Sequence, residues 1–571
     1  MEQQKKLAVL RHSTAHLLAQ AVTELFPGTL LTIGPATDEG FFYDLLPPRS
    51  LKEDDLPVIQ QRMQELAAKN YPIEHQDISK KSARELFKNN PFKLELIDGI
   101  EGDTVGLSVQ GDFKDLCRGG HVESTGELQH FALLGLSGSY WRADRSKQPL
   151  QRIHGTAFFS NQELLDFEKR REEAQLYDHR RLGRQLEYFS FEEEAVGFPF
   201  FFPKGKAVLN VLVAYMRKLH AEHEYQEVST PMILSDSLWK RSGHYAHYKD
   251  NMYFTCVDEH SYAIKPMNCP GSILIYNHRP RSYRELPLKL SEFGHVHRHE
   301  LSGVLHGLLR VRAFTQDDAH IYCTVDQIEH EVRTILDIAF KVLKKCSFTH
   351  VDLALATKPE KAMGSDELWN KAISSLKTVL EGFGQSYTLK EGEGAFYGPK
   401  IEITIKDAMH REWQCGTVQI DFFQAENFDL HYITSQGTKE RPVIIHQALY
   451  GSLERFFAIL LEHFKGNLPF WLAPVQVTVL TITDAQKEYA RQVYTALKKQ
   501  GIRALFDHSS DQISSKIKSA QSQKIPWMIV IGQKEVDGEK VSLRYADGKQ
   551  LLGIPLEQVL TMARELNESE V

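Results

Sequence analysis

The sequence predicts a multidomain protein of the α+β and α/β classes, on three observations. The chain has 571 residues, enough for several domains of ordinary size. Its middle holds two apolar, β-prone stretches, 286–300 and 308–322, joined by a turn that contains Ser302 and Gly303. Its last hundred residues alternate strands with helices, which is typical of an α/β domain with a largely parallel sheet.

Composition limits the classes of function. Hydrophobic residues make up 42% of the chain and charged residues 25%, as in ordinary globular proteins. The net charge of −7 gives no global signal for nucleic acid, so any RNA contact must use local basic patches. No apolar run is long enough to span a bilayer, and the N-terminus has no signal-peptide core. Six cysteines in a chain of this length favour a reducing cytoplasm over a disulfide scaffold.

The N-terminal third carries two pairs of metal-ligand residue types. A helix is predicted over 7–26, and it places His12 and His16 on one face. Cys117 and His121 repeat the four-residue spacing. Either pair alone is more often ordinary packing, but both pairs within one domain favour a site, and their residue types suit tetrahedral zinc.

A charged stretch over 164–185 predicts a helix that connects this region to the next domain, with a solvated surface helix as the alternative.

Beyond this stretch, the two middle strands carry an unusual polar pattern. Residues two apart share one face of a strand, and here they are charged or polar: Arg298 and Glu300, Arg310 and Arg312, then Gln316, Asp318 and His320. One such strand is usually a solvated sheet face. Two adjacent strands with this pattern favour a ligand-binding surface, and arginine side chains can bind phosphate and carboxylate groups through paired hydrogen bonds.

These strands are also where a family resemblance becomes specific. FGHVHRHE followed by LLRVRAFTQDDAH resembles motif 2 of class II aminoacyl-tRNA synthetases, and TQDDAH resembles the threonyl branch in particular. The segment from His446 to Arg455 resembles motif 3 and is predicted to begin a long helix, while Pro231 at a strand end resembles motif 1. HSTAH and CRGGH resemble the editing domain of threonyl and alanyl enzymes.

The resemblance implies an architecture. It predicts an N-terminal α+β editing domain (1–160), a connecting helix (161–185), a class II catalytic domain built on an antiparallel sheet (186–472) and an α/β anticodon-binding domain (473–571). Only 11 residues precede His12, so the ubiquitin-like domain usual in bacterial relatives is expected to be missing.

The resemblance also implies an activity. ATP and L-threonine would give threonyl-adenylate, and the threonyl group would pass to tRNA(Thr) on a cytoplasmic homodimer, with Mg²⁺ accompanying ATP. One Zn²⁺ per subunit would reject valine, which lacks the threonine hydroxyl. Serine keeps that hydroxyl and lacks one methyl, which is worth only about 10–200-fold in discrimination. Hydrolytic editing of seryl-tRNA(Thr) would therefore be needed.

Residue roles follow from the resemblance, position by position. The zinc ligands would be Cys269, His320 and His446. Arg298 would bind the α-phosphate and the amino-acid carboxylate, Glu300 the adenine amino group, Arg310 the phosphates and Arg455 the γ-phosphate, with Phe314 stacked on adenine. Gln316 and Tyr397 would orient the threonine amino group and Asp318 would accept from its hydroxyl, with Lys400, Gln414 and Gln419 nearby. The editing residues would be His12, His16, Tyr43, Lys93, Asp115, Cys117 and His121, and the resemblance implies that they form a hydrolytic site that needs no metal. Glu535 and Arg544 would contact anticodon bases.

Some positions depart from the family pattern. Gly120 stands where proline is usual, Ser272 where histidine is usual, and His299 where asparagine is usual. Three alternatives remain. The expected loss of the ubiquitin-like domain leaves open a duplicate threonyl-type enzyme with altered regulation or inhibitor response, whereas the presence of Arg298, Arg455 and the zinc ligands counts against a non-catalytic tRNA-binding paralogue and a stand-alone editing hydrolase.

Overall fold

The computed structural model describes residues 2–144, 146–360, 362–408 and 411–568, except for the side chain of His247. The chain divides into two compact units, Met1–Glu172 and Glu173–Val571. Among the described residues, every helix is too short or too polar to cross a membrane.

The first unit is an α+β domain with two sheets. Its helices are α1 (Glu2–Leu25), α2 (Asp55–Ala68), α3 (Lys80–Leu86), α4 (Pro91–Asp98) and α5 (Asn161–Leu176), the last of which extends past the unit boundary. Its strands are β1 (Leu30–Leu31), β2 (Phe41–Leu46), β3 (Ile73–Ser79), β4 (Thr104–Gln110), β5 (Phe113–Leu116), β6 (His130–Tyr140) and β7 (Pro149–Phe158). The strands form two sheets with the orders β1-β2-β7-β6 and β3-β4-β5. Helix α1 packs on the larger sheet through buried Leu17 and Leu18, as the predicted helix requires.

The second unit begins with a larger α+β body. Its helices are α6 (His179–Gln185), α7 (Pro203–Glu222), α8 (Asp236–Arg241), α9 (His244–Tyr248), α10 (Cys269–Tyr276), α11 (Ile328–Lys345), α12 (Asp366–Phe383), α13 (Phe423–Asn427) and α14 (Leu453–His463). Its strands are β8 (Phe189–Phe191), β9 (Pro199–Phe201), β10 (Gln226–Glu227), β11 (Ile233–Ser235), β12 (Tyr253–Val257), β13 (His260–Ile264), β14 (Arg281–Ser282), β15 (Leu288–His297), β16 (Ala313–Cys323), β17 (Val351–Ala356), β18 (Tyr387–Lys390), β19 (Lys400–Lys406), β20 (Glu412–Asp421), β21 (Tyr432–Ile433), β22 (Lys439–Glu440) and β23 (Val443–Ala448).

An eight-stranded sheet organises this body, in the order β10-β15-β16-β23-β20-β19-β17-β18. Its central pairs are antiparallel, and only the two outermost pairs, β10 with β15 and β17 with β18, are parallel. Helices α11 and α14 cover one face and share its core, through residues such as Ile335 and Phe457. The opposite face of the central strands is thereby left to carry polar side chains.

The C-terminal part has five strands and four helices. They are β24 (Val477–Thr481), α15 (Lys487–Lys499), β25 (Ala504–Phe506), α16 (Ile513–Ser522), β26 (Trp527–Ile531), α17 (Gln533–Asp537), β27 (Val541–Tyr545), β28 (Gln550–Ile554) and α18 (Leu556–Glu568). The sheet order is β25-β24-β26-β27-β28, with the first three strands parallel and the last two antiparallel. The sheet is therefore mixed and not largely parallel, because β27 and β28 pair as a hairpin that the sequence pattern did not reveal.

Three other predictions need correction. The connecting helix over 164–185 is two helices, because Asp178 leaves the helical path and its side chain caps α6 by accepting from the Arg180 N–H. His446 lies on strand β23, where the preceding β-branched residues favour extended backbone. The motif 3 helix starts only at Leu453, after Gly451 adopts φ +77°.

The polar residues of the two middle strands are also divided differently. Strand β15 ends at His297 and β16 starts at Ala313, so four of the residues assigned to a strand face lie in the connection between them. They are Arg298, Glu300, Arg310 and Arg312. Short 3₁₀ turns at Ser302–Val304 and Gly307–Leu309 shape this connection.

Two candidate functional sites

The first site gathers three metal-ligand side chains from distant parts of the chain. Strands β16 and β23 place His320 opposite His446, and Cys269 begins helix α10 beside them. One ligand atom from each residue lies within 4.8 Å of the others. The imidazole rings of the two histidines meet edge to face at 5.0 Å between centroids. The predicted zinc ligands are thus brought together by strand register.

His446 is oriented for such a role. Its Nε2 lies 3.1 Å from Oδ2 of Asp421, and its Nδ1 is buried with no hydrogen-bond partner among the described residues. Burial opposes charge on this ring, but Cys269 and Asp421 raise the pKa of His446 to about 10. Burial and the neighbouring His446 hold the pKa of His320 well below its usual value. One thiol and two imidazoles make three ligands, and Nδ1 of His446 is buried and unpartnered among the described residues. This set fits a zinc ion with open coordination positions.

Amino-acid-binding candidates surround this trio. Asp318 is buried on β16 two residues before His320, and its Oδ2 accepts from Nδ2 of Asn268 at 2.7 Å. Burial raises the pKa of Asp318 to about 6. Oε1 of Gln316 is buried without a described partner, and the Tyr397 ring lies 5.7 Å from the His446 ring. The arrangement offers polar atoms that can hold an amino group and a hydroxyl.

The arginines lie beyond these groups. The guanidinium of Arg298 stands 5.1 Å from the Phe314 ring, and its Nε donates to the Pro266 carbonyl at 3.1 Å. Arg310 pairs with Glu300 at 3.0 Å. The guanidinium carbon of Arg455 lies 5.8 Å from the Trp413 ring, and its Nε is buried with no described partner. Such an unpartnered buried donor suits an anionic ligand, because an unmade hydrogen bond is costly.

Lys400 and Gln414 have different surroundings from this group. Lys400 pairs with Glu402 at 2.6 Å, and Gln414 is exposed on β20. The β20 residue in register with His446 is Gln419, whose Nε2 donates to the Gly398 carbonyl at 3.1 Å.

Sequence reasoning missed the residues that support the site. Asp421 orients His446, and Asn268 orients Asp318. Asp317 accepts from the main-chain N–H groups of residues 449, 450 and 451 at 2.8–2.9 Å, which fixes the turn just before the motif 3 helix. Burial raises the pKa of Asp317 to about 7, against those three donors. Period-two alternation along β20 could have indicated Asp421, but nothing local distinguishes Asp317.

The second site lies in the first unit. Sγ of Cys117 is 3.0 Å from Nε2 of His12 and 3.3 Å from Nε2 of His121. The rings of His12, His16 and His121 lie 4.9–5.1 Å from one another. One ligand atom from each of these four residues lies within 4.8 Å of the others. The two sequence pairs thus form one cluster.

Asp115 holds the base of this cluster. It lies 3.2 Å from Nδ1 of His16 and accepts from Lys93 and Tyr43. Burial opposes charge on both residues, yet their neighbours raise the pKa of His16 to about 9 and hold that of Asp115 below its usual value. Burial likewise opposes the Cys117 thiolate, but hydrogen bonds from the histidines lower its pKa to about 3.

Six of these seven residues, all but His121, line a cavity of about 720 Å³, together with residues 32–35, residues 104–106, Arg118 and Arg142. Gly120, beside the cluster, has φ +83°, in the left-handed region that proline cannot adopt. The cavity could hold a small polar group on the end of a larger molecule.

The two anticodon candidates lie on neighbouring elements of the C-terminal part, Glu535 on α17 and Arg544 on β27. Glu535 accepts from the Ser542 hydroxyl at 2.7 Å and from the Gly532 N–H at 2.9 Å. Arg544 is half-buried on β27, and its Nε has no described partner.

Three known domain families match the chain. A class II tRNA synthetase core domain (G, H, P, S and T) matches residues 254–464. An anticodon-binding domain matches 476–566, and the second additional domain of threonyl and alanyl tRNA synthetases matches 107–154. The matches confirm the predicted fold class, although the domain limits stay predictions.

Whole-length relatives agree. The chain is 50% identical to the threonine–tRNA ligase of Thermotoga petrophila over 558 residues, 97% of this chain and 87% of that protein. It is 48% identical to the threonine–tRNA ligase of Clostridium tetani over 552 residues, 96% of this chain and 86% of that protein.

A solved structure supports the same relationship. The RNA-binding domain of threonyl-tRNA synthetase from Cryptosporidium parvum is 43% identical with a TM-score of 0.67, covering 69% of this chain and 99% of that one. A prolyl-tRNA synthetase from the same organism is 16% identical with a TM-score of 0.54, over 69% of this chain and 75% of that one, and shares the fold alone.

Proposed function

Because this chain belongs to the threonine–tRNA ligase family, we propose that its two sites divide the work of charging tRNA(Thr) correctly. The second unit joins threonine to tRNA at the expense of ATP. The first unit hydrolyses seryl-tRNA(Thr) that the second unit releases. The observation that carries the proposal is the convergence of Cys269, His320 and His446 within 4.8 Å, beside the buried acceptor Asp318.

Threonine activation would proceed by in-line attack of the amino-acid carboxylate on the ATP α-phosphate, with pyrophosphate leaving. Arg298 would hold both reacting groups and stabilise the charge that develops between them. Phe314 and Glu300 would hold the adenine ring and its amino group. Arg310 and Arg455 would bind the outer phosphates, and Mg²⁺ would accompany ATP. Release of Arg310 from its pair with Glu300 would free both residues for the nucleotide.

Selection of threonine would rest on polar contacts around the trio. Asp318, held by Asn268, would accept from the threonine hydroxyl, and Gln316 and Tyr397 would orient the amino group. When bound by Cys269 and the two histidines, zinc supplies coordination that favours the amino and hydroxyl groups together. Valine leaves the hydroxyl position and the Asp318 acceptor unfilled, whereas serine fills both.

The cluster in the first unit would remove serine by ester hydrolysis. Water adds to the seryl carbonyl, and the ribose hydroxyl of the terminal adenosine leaves. The imidazoles of His12, His16 and His121 around the Cys117 sulfur would carry protons between the water and the leaving oxygen. Lys93 would supply positive charge beside the ester.

The remaining assignments concern assembly and tRNA. The C-terminal domain would read the anticodon with Glu535 and Arg544, as RNA loops are read by polar edges and arginine. A homodimer would form around motif 1, where Met232 and Ile233, next to Pro231, are 44% and 54% exposed. Six free cysteines fit a reducing cytoplasm as the proposed compartment. The proposed domain limits remain 1–160, 161–185, 186–472 and 473–571.

The deciding experiment is amino-acid-dependent ATP–pyrophosphate exchange by the metal-replete chain. Exchange should be strong with threonine, weaker with serine and at background with valine. The same preparation should deacylate seryl-tRNA(Thr) and spare threonyl-tRNA(Thr). Absence of threonine-dependent exchange would favour a tRNA-binding paralogue instead.

A further inference from the structure

His179 is a completely buried histidine that none of the matched motifs assigns a role. It follows Asp178 at the start of α6 and is 0% exposed. Its ring lies between two segments that the proposed function makes important. One is the end of helix α14, which carries Arg455, and the other is the turn at Gly307–Leu309, which leads directly into Arg310.

The hydrogen bonds of this ring fix its tautomer. The Leu308 main-chain N–H donates to Nε2 of His179 at 3.0 Å, so Nε2 must carry the lone pair. Nδ1 therefore holds the proton and donates to Oε1 of Glu462 at 2.6 Å. The main-chain N–H of His179 donates to the same oxygen at 2.9 Å. One neutral ring thus bridges three separate elements.

The turn approaches the ring as closely as glycine permits. Gly307 has φ +49°, and a Cβ on it would lie 2.1 Å from Nε2 of His179. Two backbone hydrogen bonds close the turn on itself: His306 N–H to the Arg310 carbonyl at 3.1 Å and Arg310 N–H to the His306 carbonyl at 3.3 Å. Anchoring Leu308 therefore anchors the backbone of Arg310.

The other side of the ring leads to Arg455. Glu462 also accepts from the guanidinium of Arg411, whose carbon lies 5.3 Å from the Trp413 ring. The guanidinium carbon of Arg455 lies 5.8 Å from the same ring. Nε2 of His179 thus contacts the turn that precedes Arg310, and Nδ1 contacts helix α14, which carries Arg455.

We propose that His179 is a positioning residue for threonine activation, which sets the motif 2 turn and the motif 3 helix at the separation that the ATP phosphates need. The inference rests on the proposed function of Arg310 and Arg455. Loss of the Nε2 acceptor should release the turn and weaken ATP binding, because the Leu308 N–H would be left buried and unpaired.

Replacing His179 with Gln or with Asn distinguishes the roles of its two ring nitrogens. Gln at position 179 can place an acceptor near the Nε2 position, whereas Asn can place a donor only near the Nδ1 position. His179→Gln should keep the KM for ATP in pyrophosphate exchange within about threefold of wild type, whereas His179→Asn and His179→Ala should raise it about tenfold or more. The matched control is His220→Gln, since His220 is a buried histidine whose ring nitrogens have no described partner.

A second measurement does not depend on activity. Hydrogen exchange followed by mass spectrometry should show faster exchange over 306–310 in His179→Asn and His179→Ala, but not in His179→Gln or His220→Gln. Unchanged protection of this segment in His179→Ala would overturn the proposal. The proposal would also be overturned if kcat fell in proportion to the loss of thermal stability in all four variants while the KM for ATP stayed unchanged. If wild type itself lacks threonine-dependent exchange, the proposed function fails, while the protection of 306–310 still decides whether His179 anchors the turn.

Discussion

Nε2 of His446 lies 3.1 Å from Oδ2 of Asp421, and Nδ1 of the same ring is buried without a described hydrogen-bond partner. The carboxylate is completely buried and lies on β20, next to the strand that carries the histidine. A carboxylate behind a ligating imidazole fixes the ring's tautomer and raises its basicity. A proton on Nε2, donated to Asp421, therefore leaves the Nδ1 lone pair available as a ligand.

Replacement of Asp421 should weaken zinc binding without removing a ligand. We expect Asp421→Asn to lower zinc affinity by about 10–100-fold, the usual effect of losing such a partner. Competition with a chromogenic chelator measures this directly. The control is Asp429→Asn, a change at an exposed aspartate on the loop before β21. Equal zinc affinity in the two variants would contradict the assignment of Asp421.

Removal of zinc should separate the two activities. We expect one zinc per chain, and a chelator should abolish threonine-dependent ATP–pyrophosphate exchange while leaving seryl-tRNA hydrolysis intact. Cys269→Ser should reproduce both effects, because a hydroxyl is a poor substitute for a thiolate ligand. Metal analysis by mass spectrometry gives the stoichiometry.

The opposite result is equally informative. Two zinc ions per chain, with one lost in Cys117→Ser, would show that the cluster of the first unit is a metal site and not a metal-free hydrolytic site.

The sequence predicted the class of each domain and the members of both clusters, but for different reasons. His12 with His16, and Cys117 with His121, were visible as local spacings. Cys269, His320 and His446 are separated by 51 residues (269 to 320) and 126 residues (320 to 446), so only the family resemblance joined them. Their proximity depends on the register of β16 with β23, which is a long-range property.

The supporting residues were not predictable from local patterns. Asp317 reads as one more polar residue of a strand, and its three main-chain donors come from more than 130 residues later. In the sequence, His179 is one residue of a charged linker. Nothing in a single sequence shows that its ring forms hydrogen bonds with Leu308 and Glu462. The mistaken strand assignment of Arg298 and Arg310 has a related cause: apolar periodicity cannot reveal where a connection leaves the sheet.

Cys117 should behave as a thiolate across the physiological pH range. Its lowered pKa of about 3 gives stability that is complete above the unfolded value near 9 and is lost as pH falls through 3. The raised pKa of His16, about 9, gives stability that is complete below 6.5 and is lost as pH rises through 9. The ion pair therefore exists between these limits.

Alkylation measures this state. The rate of iodoacetamide modification at Cys117, mapped by mass spectrometry, should stay nearly constant between about pH 5 and pH 8, whereas an ordinary thiol gains about tenfold per pH unit there. His16→Asn removes the positive partner and should bring back part of that dependence. A tenfold rise per pH unit in the wild-type chain would rule out the ion pair.

Gly120 is the departure from the family pattern with the clearest structural consequence. Its φ of +83° lies far from the value of about −65° that proline requires. Restoring the family residue with Gly120→Pro should therefore displace the adjacent His121 from Cys117 and reduce seryl-tRNA hydrolysis at least tenfold, while threonine-dependent exchange is unchanged. The matched comparison is Gly120→Ala. It should lower the free energy of unfolding by only about 1–2 kcal/mol, because nothing lies within 4 Å of the added Cβ and only backbone strain opposes it. Gly138→Ala is the control, since that Cβ also meets no atom within 4 Å and φ there is not positive. Faster hydrolysis by Gly120→Pro would show that the loop can take the family conformation and that glycine at this position limits editing.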